Sequence, residues 1–89
     1  MPSREVEITT KVGLHARPIA ILVKAATEAK VAILVGRVGQ KAASANSLLS
    51  VLSLGLQFGE VVEVTVADCE NSADILNEIS MIVSTNYGD

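Results

Sequence analysis

Along this 89-residue chain the spacing of apolar side chains switches between two periods, and the order of the switches leaves few architectures open. Glu5-Val6-Glu7-Ile8-Thr9 alternates polar and apolar, which predicts a strand with one face on a core and one in water, ending near Thr10. From Ala16 the period lengthens: Ile19, Leu22, Val23 and Ala26 recur at helical spacing, while Lys24, Thr27 and Glu28 fall off the stripe. Val31, Ile33 and Val35 then alternate again. Gly36 and Gly39 bracket an expected hairpin, followed by a weak strand from Gln40 to Ala43.

Ser44, Asn46 and Ser47 offer N-cap side chains ahead of a helix of about two turns opening at Leu48, and Gly55 stands where a left-handed residue would end it. From Glu60 to Ala67, Val62, Val64 and Val66 alternate with Glu63 and Thr65, which predicts the last strand. A third helix is expected to start at Asn71-Ser72-Ala73-Asp74, with Glu70 and Asp74 favouring its positive end, and to run toward Thr85. Its buried stripe is Ile75, Leu76, Ile79, Ile82 and Val83. The order β-α-β-β-α-β-α, with one apolar stripe per helix, predicts an α+β fold. The expected form is an open-faced β-sandwich, a four-stranded and largely antiparallel sheet covered on one face by three helices. Periodicity leaves the strand order open. A chain of 89 residues is expected to form one domain over its whole length.

Composition removes several function classes. With one Phe, one Tyr and no Trp, the core must be aliphatic and there is no platform on which bases could stack. A net charge of −3 lacks the basic footprint of a nucleic-acid binder. No apolar run has the length of a membrane span, and Arg4 and Glu5 interrupt any leader-like start, so a cytoplasmic protein without membrane insertion is expected. Cys69 is the single cysteine. It allows no internal disulfide, gives no metal cluster with one distant histidine, and reads as a loosely packed residue before a helix; no metal or cofactor is expected.

The only histidine lies in Gly13-Leu14-His15-Ala16-Arg17-Pro18, between the first strand and the first helix. N–H groups in the first turn of a helix have no intrahelical acceptor, and the macrodipole adds partial positive charge there. A phosphoryl group on His15 would therefore meet the amides of Ala16 and Arg17 and the guanidinium of Arg17. Pro18 is tolerated in a first turn, where its missing N–H is not needed, and Gly13 gives the incoming chain freedom to turn. The same surroundings disfavour an imidazolium, so the pKa of His15 is expected below the ordinary value, leaving a neutral nucleophile. A lone histidine is more often structural than chemical, and it is the helix start together with Arg17 that points to phosphoryl transfer.

This hexapeptide, its place near the amino terminus and the chain length resemble the HPr family, the histidine-containing phosphocarriers of the bacterial phosphoenolpyruvate-dependent sugar phosphotransferase system. Ser47-Leu48-Leu49-Ser50-Val51-Leu52-Ser53-Leu54-Gly55 is similar to that family's short second helix, with its serine at the helix start. The likeness runs end to end and implies the same open-faced sandwich. It also implies a carrier rather than an enzyme, bearing a transient phosphohistidine on Nδ1 of His15, charged by enzyme I and discharged to enzyme II A components. Ser47 matches a serine that is phosphorylated regulatorily in many relatives, which implies an HPr kinase/phosphorylase and a transcriptional regulator as further partners. Asn46 stands where a lysine frequently precedes that serine, and the segment from His15 to Ser47 is one residue longer than in many relatives.

Within the second helix Leu48 and Leu52 share one face, and Val51 and Leu54 another. One sheet cannot bury both, so Leu48, Leu49 and Leu52 are expected to form an exposed docking patch, extended by Ala16, Ala20 and Lys24; the competing reading places the leucines in the core. Two other function classes compete. A small α+β regulatory or interaction module would use His15 as a cap and the leucines for association, while a nitrogen-linked HPr paralogue would keep the family and change the pathway, without sugar-transport phosphotransfer. A hydrolase or kinase would need a base, an acid or a metal set, and no acidic residue lies near the motif in sequence.

Overall fold

The computed structural model describes residues 2–9 and 16–85. Strand β1 (Ser3–Glu7) is followed by helix α1 (Ala16–Ala29), strands β2 (Ile33–Arg37) and β3 (Ala43–Ser44), helix α2 (Leu48–Ser53), strand β4 (Val61–Val66) and helix α3 (Ser72–Ser84). The four strands form one sheet in the order β1-β4-β2-β3, with every neighbouring pair antiparallel. β1 and β2 therefore run the same way on either side of β4. This is the expected α+β class, with the strand order that periodicity left open.

Alternation along the strands decides which face the helices cover. Val62, Val64 and Val66 of β4 are completely buried beside Ile33 and Val35 of β2 and Val6 and Ile8 at the end of β1. The helices answer with Ile19, Leu22 and Ala26 from α1, Val51 from α2, and Ile75, Leu76, Ile79 and Val83 from α3. α3 packs on α1, β1 and β4, and α2 lies against α1 and β3. The single Phe58 is at the surface, and among the described residues the core is aliphatic, in keeping with the composition. On the other side of the sheet Ser3, Glu5, Glu7, Val61, Glu63, Thr65 and Leu34 are exposed or half-buried. Glu5 and Glu63 stand directly opposite each other there.

Three local features differ from expectation. β1 ends at Glu7 rather than near Thr10, although Ile8 still donates to the Glu60 carbonyl and accepts from the Gly59 amide, both at 2.9 Å. β3 is later and shorter than the expected Gln40 to Ala43 strand. The turn closed by the Gln40 amide on the Arg37 carbonyl (3.1 Å), with Gly39 at φ +77, uses residues through Gln40, and pairing resumes only at Val35↔Ala43. Gly36 belongs to β2 rather than to that turn. A Cβ there would lie 2.9 Å from the Cα of Ala42, so glycine is what lets the returning chain pass this close. Finally, Asn71 occupies the N-cap position of α3 but its side chain makes no capping bond; its Oδ1 accepts instead from the half-buried Cys69 thiol at 3.5 Å.

Candidate functional site

Arg17 and Pro18 lie in the first turn of α1, which contains no acidic residue. His15, with Gly13 and Leu14, lies outside the described residues. Pro18 is fully buried and fastens this end of the helix to the core, while Arg17 is exposed. With Arg17 at one end, Ala20, Ile21 and Lys24 follow at i+3, i+4 and i+7, and all four are exposed. The outward stripe of α1 thus contains the expected Ala20 and Lys24, and adds Ile21. Its signal in the sequence was its place one turn beyond Arg17, off the stripe that Ile19 and Leu22 form.

The next element along the surface is α2. Ser47 is its N-cap: the backbone is extended, Oγ accepts from the Ser50 amide at 3.3 Å, and the same hydroxyl donates to Ser50 Oγ at 2.9 Å. At the other end Gly55 has φ +61 and donates its N–H to the Leu52 carbonyl at 3.2 Å, the left-handed ending expected of it. Val51 is buried at 1% exposure, whereas Leu48, Leu49 and Leu52 are 43%, 77% and 39% exposed. Leu49 thus stands in water and Leu48 and Leu52 are only partly covered, which leaves an apolar surface on a short helix. Because α2 packs against α1, the leucines and the Arg17 stripe occupy adjoining helices.

The exit of α2 is held from outside the helix. The Arg37 guanidinium, at the end of β2, donates Nε to Glu60 Oε1 at 2.6 Å and Nη2 to Glu60 Oε2 at 3.0 Å, a bidentate pair. Nη1 donates to the Leu54 carbonyl at 2.7 Å and Nη2 to the Gly55 carbonyl at 3.1 Å. Glu60 Oε2 also accepts from the Gln57 amide at 2.6 Å. The hydrogen bond from Arg37, followed by that from Gln57, holds the Glu60 carboxyl below its ordinary pKa, and the bond to Glu60 raises that of Arg37. Both side chains remain about 30% exposed, as their side-chain areas of 29% and 30% show, so water screens the pair. No local pattern announces it, since 23 residues separate the partners.

An open groove of about 480 Å³ between β3 and α2 is lined by Lys41, Ser44, Ser50, Ser53 and Leu54 among others, and none of the expected site residues borders it. Among the described residues no group of His, Cys, Asp and Glu could hold a metal ion, and no helix is long and apolar enough to cross a membrane.

Comparison with known proteins converges on one family. The family model described as "PTS HPr component phosphorylation site" matches residues 2–85. The phosphocarrier protein HPr of Streptomyces coelicolor is 36% identical over 84 residues, covering 94% of this chain and 89% of that protein. That of Vibrio cholerae is 45% identical over 65 residues, 73% of this chain and 75% of that one. Among solved structures, HPr-C-His from Thermoanaerobacter tengcongensis superposes with a TM-score of 0.86 at 28% identity, covering all of this chain (100%) and 98% of that one. A family model spanning nearly the whole length, relatives of matching size and the same open-faced sandwich together show that the chain belongs to the HPr family, the phosphocarriers of the phosphotransferase system.

Proposed function

We propose that this chain carries a phosphoryl group on Nδ1 of His15, accepting it from the phosphohistidine of enzyme I and passing it to enzyme II A components. The observation that carries the reading is the position of His15 immediately ahead of α1, a helix whose first turn holds an exposed Arg17 and no acidic side chain. In the acceptance step the donor's P–N bond breaks, its electron pair stays on the donor imidazole, and the neutral His15 ring forms the new bond. The phosphoryl oxygens then face the positive end of the helix, where the Ala16 and Arg17 amides and the Arg17 guanidinium take up charge without rearranging. The chain supplies the acceptor and the electrostatics and turns over nothing by itself. It is a carrier acting in the cytoplasm with no cofactor.

Docking in this reading uses Ala20, Lys24, Leu48, Leu49 and Leu52, which are all exposed, and Ile21 joins them. The leucines give affinity and the two cations orientation. Phosphorylation of Ser47 by an HPr kinase/phosphorylase would add nearly two negative charges beside the leucines, tolerable at a helix start but opposed to docking, and would suit recognition by a transcriptional regulator. Incubation with enzyme I and phosphoenolpyruvate is expected to add one phosphoryl group by intact mass, in a form labile to acid, and His15→Ala to add none. Incorporation surviving that substitution would sink the proposal.

A further inference from the structure

We propose that Arg37 is a positioning residue for the docking helix, tying the last turn of α2 to the sheet so that its exposed leucines are presented in one orientation. The docking half of this inference rests on the function proposed above; the tie itself does not. A helix of six residues does not persist alone, and α2 buries only Val51. Its first turn is secured by Ser47. Its last turn contains no basic residue of its own, and the missing cation comes from β2, where Arg37 lies on the same side of the sheet as Ile33 and Val35.

The guanidinium meets the two carbonyls at the exit of α2, those of Leu54 and Gly55, where the negative end of a helix favours a cation. Glu60 takes the adjoining Nε–Nη2 edge of the same group and is itself held by the Gln57 amide, while the Glu60 carbonyl accepts from Ile8 at the end of β1. A continuous run of hydrogen bonds therefore leads from the exit of α2 through one side chain to two strands. Only arginine fits this place. Four bonds leave three nitrogens in one plane, and a lysine ammonium, with three donors on one nitrogen, cannot span two carbonyls and a bidentate carboxylate.

The test pairs two readouts on Arg37→Ala, Arg37→Lys and Glu60→Gln. In amide exchange, the amides of Val51 in α2 and of Leu54 and Gly55 at its exit are expected to exchange about tenfold faster in both Arg37 variants, with β2 and β4 amides unmoved. Lysine is not expected to restore protection, and Glu60→Gln, which keeps the carbonyl bonds, gives a smaller change of the same sign. In phosphotransfer from phosphorylated enzyme I, KM for this chain is expected to rise about tenfold with kcat kept, because docking and not chemistry is disturbed. Equal acceleration of helix and sheet amides, or full rescue by lysine, overturns the tie. Faster α2 exchange with KM unchanged overturns its role in docking. If the wild-type chain takes no phosphoryl group, the function proposed above fails, and with it the docking half, while exchange still decides the tie.

Discussion

The fold uses the ionisation of Glu60 directly, because one carboxylate serves both Arg37 and the Gln57 amide. Its folded pKa lies below its unfolded value, so its contribution to stability is fully present above the ordinary carboxylate range and is lost as pH falls through the folded value. Thermal midpoints measured from neutral pH down to about pH 3 should therefore fall more steeply for the wild type than for Glu60→Gln, and parallel curves would contradict this. Ser80 makes the opposite case. It is buried in α3 with no partner for its hydroxyl, the one such side chain among the described residues. Ser80→Ala removes an unpaired donor and should stabilise the protein by about 1 kcal/mol in denaturant unfolding, whereas a loss of stability would show that the hydroxyl is satisfied.

Among the elements, α2 divides its side chains most plainly, with Val51 in the core and Leu48, Leu49 and Leu52 exposed. Val51→Ala should cost about 2 kcal/mol in denaturant unfolding, whereas Leu49→Ser, at a side chain 77% exposed, should change stability by less than about 0.5 kcal/mol. In enzyme I-dependent phosphorylation the order reverses, with Leu49→Ser raising KM; a large stability loss for Leu49→Ser would assign that leucine to the core. What was legible here was local. The Ser47 cap, the Gly55 ending and the two-faced leucine pattern are each set by neighbours within one or two turns. β3 was displaced because its pairing is set by how far the Arg37–Gln40 turn carries the chain, and the Arg37–Glu60 pair was invisible because only the finished sheet brings β2 and the approach to β4 together. The assignment of His15 falls on residues outside those described and rests on the motif and on the helix that follows it.

At the scale of the whole molecule, alternation and helical stripes were enough for the class, because every element buries a single face and only a layered sheet with helices on one side accommodates them. They were not enough for the order β1-β4-β2-β3, since Val6, Val35 and Val64 are interchangeable as apolar contacts and nothing in their spacing says which strand lies between the others. The brevity of β3 has a consequence for how copies of this protein behave beside one another. Two residues give a neighbouring chain almost no ladder to extend, so that margin is a poor template for fibrous growth. The five-residue β1 at the opposite margin is longer, and there protection falls to charge: Arg4, Glu5 and Glu7 line it, and an added strand would have to accommodate all three before the sheet could lengthen.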